Sequence, residues 1–179
     1  MSLHEIVLPQ TKPETEWVRG RALQKVSGTY DHGSLQGLIA MALMAWSDAG
    51  ARGRVAMSWR FRVAPPGQVV RPLVPDVAYL SYNDVAADAP DDDVQVPLGA
   101  PTVAVEVIVP EERRVDIEDK IATYLAAGTR AVLLVDPRDQ SITVDDGAVR
   151  VLRPGDVFTH PSLPGFTLDV GALFERARR

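Results

Sequence analysis

The chain contains no cysteine. Disulfides, zinc–thiolate sites and iron–sulfur clusters are therefore excluded, and with them a small secreted fold held by cross-links. Long apolar runs are also missing. The longest, Leu38–Trp46, is far too short to span a bilayer. The first residues, MSLHEIVLPQTKPETEW, have no apolar segment behind a basic start, so no signal peptide is expected and the cytoplasm is the expected location. From Asp76 to Ala100 there is no basic residue, against six aspartates. The residues before Asp76 carry nine Lys/Arg against five Asp/Glu, and those from Pro101 onward ten against thirteen. The net charge of −5 argues mildly against a polyanionic partner, but the basic excess is concentrated ahead of Asp76.

The 179 residues, 46% hydrophobic and 24% charged, suit one globular domain able to bury a core. Pro9 and Pro13 break any pattern near the start, so residues 1–14 read as a lead-in to a single domain over 15–179. Leu35, Leu38, Ile39, Ala42, Leu43 and Trp46 recur at helical spacing, which predicts a helix over 34–51. Residues 54–63 alternate Val55, Met57, Trp59, Phe61 and Val63 with a face that carries Arg54, Arg60 and Arg62, which predicts one continuous strand. That cationic face is a candidate nucleic-acid contact. A second strand is expected over 74–81, and the DAPDDD run around Asp91 reads as a polar loop. TVAVEVIV at 102–109 reads as a central strand buried on both faces. A helix over 115–127 stops at Gly128, a strand follows at 130–135, and residues 140–152 form a hairpin around Asp146-Gly147. The order predicts an α/β fold with a mixed β-sheet flanked by helices and a C-terminal β-hairpin.

The chemistry concentrates on the central strand. A strand buried on both faces should exclude charge, yet this one contains Glu106. Asp76 follows Pro75 at the start of the preceding strand, and Lys120 lies near the middle of the following helix. If the two strands are neighbours, both carboxylates reach one point, where hard oxygen ligands suit Mg²⁺ or Mn²⁺. Such an ion polarises a phosphoryl oxygen and acidifies a bound water, and a lysine beside it orients that water or offsets charge. His32, alone ahead of a helix, reads as structural or exposed, with a substrate-side base as the competing role.

VPDVAYLS, VAVEVIVP and DKIATYLAAGTRAVLLVDP, in that order, resemble the Uma-two family of restriction-endonuclease-like proteins, within the PD-(D/E)xK nuclease superfamily. EWVRGRAL, Asp31-His32 and LPGFTLDVGALF extend the resemblance over roughly residues 15 to 174. It implies a restriction-endonuclease-like core with Asp76 and Glu106 as catalytic metal ligands. It also implies that the Val107 carbonyl is a further ligand and that Glu16 has an accessory role. The usual lysine place, two residues beyond Glu106, holds Ile108, and the resemblance assigns that function to Lys120. Arg19-Gly20-Arg21 stands where the family often has Asp-Gly-Glu, and Val109-Pro110-Glu111 where it often has Ser-Pro-Ser. The implied activity is Mg²⁺-dependent endonucleolytic hydrolysis of DNA by a homodimer or higher oligomer. Two rivals compete with it: a nuclease-like scaffold without turnover, acting as an oligomeric binding protein, and a hydrolase of smaller phosphoesters.

Overall fold

In the computed structural model, which describes residues 4–179, the first regular structure is a hairpin that periodicity does not announce. Strand β1 (Thr15–Val18) pairs antiparallel with β2 (Arg21–Gln24). Arg19 and Gly20 join them with φ of 49° and 77°, and two positive φ values in a two-residue loop match the twist of the flanking strands. The segment before it is held to the domain, because Glu5 bridges Val70. The first three residues of the expected lead-in lie outside the described residues.

Helix α1 (Tyr30–Gly50) starts four residues earlier than its apolar spacing suggests. Thr29 caps it, accepting a hydrogen bond from the His32 N–H, so its start is set by a polar cap and not by an apolar residue. Strand β3 (Gly53–Met57) then ends where Ser58 takes a φ of 50°. The single strand expected over 54–63 is therefore two. β4 (Phe61–Val63) leaves the main sheet and pairs with β5 (Arg71–Leu73). Alternation continued through the break in the sequence, but the backbone did not. Met57 is consequently exposed while Phe61 and Val63 are buried.

Strand β6 (Val77–Ser81) is followed by a short helix α2 (Asp91–Gln95), formed where the sequence suggests only a loop. β7 (Val103–Val107), helix α3 (Arg114–Ala126) and β8 (Ala131–Asp136) form a β–α–β unit with parallel strands. β9 (Ser141–Asp145) and β10 (Val149–Leu152) are the expected hairpin. β11 (Val157–Phe158) and β12 (Leu168–Asp169) form a small antiparallel pair ahead of helix α4 (Val170–Ala177). The six-stranded sheet runs β10-β9-β8-β7-β6-β3 and is antiparallel except at β7–β8, so it is mixed.

Two cores flank the sheet. Leu35, Ile39 and Leu43 of α1 meet Val77, Tyr79, Val103, Val105 and Val107 on one side, with α4 completing that layer. Ala78, Ala104 and Val132 face the other side, beneath Tyr124 of α3, Val18 of β1 and Phe61 and Leu73 of the β4–β5 pair. The alternation of a pleated strand explains the division.

Candidate active site

The same alternation determines where the carboxylates go. Val105 and Val107 belong to the α1 side, so Glu106 belongs with Ala104 on the α3 side. Val77 pairs with Val105, and one further step of that antiparallel register sets Asp76 opposite Glu106. The two acids are cross-strand neighbours on one face, 3% exposed each. The next residues on that face, Ala78 and its cross-strand partner Ala104, are small and leave room for long side chains from above. Helix α3 supplies Lys120, one turn before Tyr124, so both lie over the same strip of sheet.

Lys120 is buried, and its ammonium donates to Glu106 Oε2 at 3.0 Å and to Glu16 Oε2 at 3.3 Å. Glu112 Oε1 stands 3.7 Å away at the rim. Glu16 is fixed from behind, because the Val74 N–H donates to its Oε1 at 2.7 Å. The Tyr124 hydroxyl donates to Glu106 Oε1 at 3.2 Å. On the other carboxylate, the Val107 N–H donates to Asp76 Oδ2 at 2.7 Å. His32 Nε2 lies 3.3 Å from the same oxygen.

A second lysine completes the cluster, and the sequence offers no sign of it. Lys25 lies just past the end of β2. Its ammonium donates to Asp76 Oδ1 at 2.8 Å and to the Val74 carbonyl at 2.7 Å, and it is 3.6 Å from Glu106 Oε2. It therefore sits between the two acids that the sequence assigns to a metal. Nothing in Arg21–Gln24 marks the following lysine as special; only the hairpin turn brings it over the sheet.

Electrostatics follow from this crowding. Burial alone would raise the Asp76 carboxyl, but the Lys25 ammonium and the His32 ring hold it well below the usual carboxylate range. Burial pushes Glu106 up to about 7, against the attraction of Lys120 and Lys25. For both lysines burial is outweighed by the surrounding carboxylates, and each is held above the ordinary lysine value. Burial and the Glu106 charge together raise the Tyr124 hydroxyl well above its usual range.

The structure thus brings together Asp76, Glu106, Lys120 and Glu16. Val107 contributes its N–H to Asp76. The three arginines of the cationic face are spent elsewhere. Arg54 donates to the carbonyls of Val85, Ala86 and Ala87, Arg60 pairs with Glu14 at 2.7 Å, and Arg62 pairs with Glu5 at 2.6 Å. Arg54 and Arg62 also lie on two different sheets, with Arg60 in the irregular link between them, because the strand breaks at Ser58.

The donor chemistry suits a cation, since Asp76 and Glu106 stand side by side, Glu16 is joined to Glu106 through Lys120, and ammonium groups already answer all three. Among the described residues, however, no three Asp, Glu or His side chains gather as a ready ligand set. The place between Asp76 and Glu106 is taken by Lys25. Two clefts border that ammonium. One of about 440 Å³ runs past His32, Gln36, Ser58 and Asp76. The other, of about 100 Å³, runs past Glu16, Glu112 and Lys120.

A mixed sheet with paired acids on adjacent strands and a lysine from the crossover helix defines the class, a restriction-endonuclease-like nuclease fold. Residues 4–171 match the model of the Uma2 family, described as "Putative restriction endonuclease", and the chain belongs to that family. Among solved structures it is similar to a "putative nuclease belonging to DUF820" from Anabaena variabilis, at 20% identity and a TM-score of 0.82. That match covers 95% of this chain and 94% of the other, and at this identity it speaks for the fold. No curated protein matches the chain.

Proposed function

We propose that this nuclease-family chain is a Mg²⁺- or Mn²⁺-dependent endonuclease acting on the phosphodiester bonds of DNA, with Asp76, Glu106 and Lys120 as its catalytic residues. The observation that supports this most directly is the cross-strand placement of Asp76 beside Glu106, both buried on the face covered by Lys120. Buried carboxylates are costly unless a cation answers them, so their retention on a central sheet points to use.

Asp76 and Glu106 would hold the ion, with the Val107 carbonyl as a further ligand. Bound there, the ion supplies Lewis-acid polarisation of a phosphoryl oxygen and a more acidic water. Lys120 stands where its ammonium orients the attacking water or offsets charge developing on the phosphate. Glu16 holds Lys120 in position, and the Val74 N–H holds Glu16. Tyr124 restrains the far oxygen of Glu106 and so directs the other toward the lysines. The reading does not need Arg54, Arg60 or Arg62 as phosphate contacts, because each has an internal partner. It carries the expectation of a cytoplasmic homodimer, since cutting both strands of a duplex calls for two sites; sedimentation velocity giving a monomer mass at working concentration would count against the dimer.

The test is cleavage of plasmid and single-stranded DNA with Mg²⁺ or Mn²⁺. Cleavage by the wild type and its loss in Glu106→Ala support the enzyme. No cleavage of any nucleic acid, together with no metal binding by calorimetry, would sink it. A scaffold without turnover, acting as an oligomeric binding protein, is the second reading. Lys25 favours it, because an ammonium already answers the carboxylates a metal would need.

A further inference from the structure

We infer that Lys25 is the resident cation of the metal locus, and that a divalent ion enters between Asp76 and Glu106 only by displacing its ammonium. The inference rests on the metal-dependent reading above and adds the residue that sets the site's metal affinity.

Position is the first argument. The Lys25 ammonium contacts one oxygen each of Asp76 and the Val74 carbonyl and lies near Glu106 Oε2. Oxygen atoms gathered around one positive centre are the environment a hard divalent ion also takes. The two cations cannot share it.

Charge is the second argument. Three buried carboxylates, Glu16, Asp76 and Glu106, face two ammonium groups, Lys25 and Lys120. When all are ionised, one negative charge is left over. Exchanging Lys25 for a divalent ion brings those five groups to neutrality while Lys120 keeps its place, and Glu112 at the rim adds further negative charge. The exchange is therefore favoured by the cluster it perturbs.

The third argument is that Lys25 has the wider way out, because Lys120 borders only the smaller cleft. Lys120 is in mid-helix, with its side chain 3% exposed. The Lys25 side chain is 15% exposed and lines both clefts that flank the acids. Its backbone is held, since its N–H donates to the Glu14 carbonyl at 2.7 Å, but the chain after it, from Val26 to Tyr30, is exposed. The side chain can swing into the larger cleft without disturbing the sheet or α3.

A locus open for only a small fraction of the time binds its ion more weakly by that fraction, so an occupancy by Lys25 of roughly 99% weakens metal binding about 100-fold. Mn²⁺ binding to wild type, Lys25→Met and the double variant Lys25→Met/Glu106→Gln, followed by electron paramagnetic resonance and calorimetry, tests this. The expected result is that Lys25→Met binds on the order of 100-fold tighter than wild type and that Glu106→Gln removes the gain. Equal Mn²⁺ affinity in wild type and Lys25→Met overturns the inference and leaves the nuclease reading standing. No Mn²⁺ bound by either protein overturns the metal-dependent reading itself.

Should Lys25→Met not fold, the wild type carries the same test. Reductive methylation followed by peptide mass spectrometry reports whether the Lys25 amine is accessible. Protection without metal and labelling with bound Mg²⁺ is the expected pattern. An ion shown to be bound while Lys25 stays protected overturns the inference.

Discussion

On the α1 side of the sheet, Leu35, Ile39 and Leu43 pack on Val103, Val105 and Val107. On the α3 side, β7 and the residue just ahead of β6 present Glu106 and Asp76 to Lys25, Lys120 and Tyr124. One backbone thus carries an apolar core on one face and a buried ionic cluster on the other. Among the described residues, no buried side-chain polar atom lacks a partner, so the ionic face is satisfied throughout. The difference lies in tolerance. An apolar core loses stability in proportion to the contacts removed, whereas an ionic cluster fails when one partner leaves and the rest remain charged.

The sharpest way to break that comparison is to remove one partner on each side. Lys120→Met leaves Glu16 without its ion-pair partner and Glu106 with Lys25 alone, 3.6 Å away, and should cost about 3–5 kcal/mol in chemical denaturation. Adding Glu106→Leu should recover part of the loss, because one stranded charge leaves with its desolvation cost while Glu16 stays charged without its lysine, and DNA cleavage should remain abolished. A double variant as unstable as the single one would mean that the face is held by packing and not by charge. On the apolar side, Leu43→Ala should cost about 2–5 kcal/mol, and no second substitution by a charged neighbour should rescue it.

Acidity separates the faces further. Carbon-13 NMR of the Glu106 carboxyl should show a midpoint near 7 in the metal-free protein. A midpoint close to the ordinary glutamate value would remove the burial argument. Because its folded value is raised, the stabilising share of Glu106 is present below its ordinary pKa and is lost as the pH rises toward 7. Asp76 is depressed, so its share is present above the ordinary aspartate value and is lost on acidification. Lys25→Met should move the Glu106 midpoint higher still, since that ammonium lowers it.

The smaller effects lie at the periphery. Thr29→Ala should cost about 1 kcal/mol by uncapping α1, read from thermal or urea unfolding. Arg62→Ala, which breaks a partly exposed pair with Glu5, should cost roughly 0.2–1 kcal/mol. It should leave DNA cleavage unchanged. A large loss of cleavage on that substitution would return the cationic face to the nucleic-acid interface.

Glu106 was legible because it breaks a rule visible in sequence, a charge inside a β-branched apolar run. Asp76 gained its place through strand order, and Lys120 through the family resemblance. Lys25 was not legible, and neither was the hairpin that delivers it. Arg21–Gln24 is too short and too polar to announce a strand, and the lysine after it has no local partner. The break at Ser58 was hidden for a related reason: alternation persists in VAMSWRFRV while the backbone changes sheet.

By itself, the sequence determined the alternation of helices and strands and the identity of the buried acid, because both are written in local periodicity and its violation. Tertiary structure decided what answers that acid. The register between β6 and β7 sets Asp76 opposite Glu106, the crossover helix lowers Lys120 onto them, and a hairpin from far earlier in the chain slides Lys25 between them. Those partners come from sequence-distant segments, and the positions they take depend on how the layers stack.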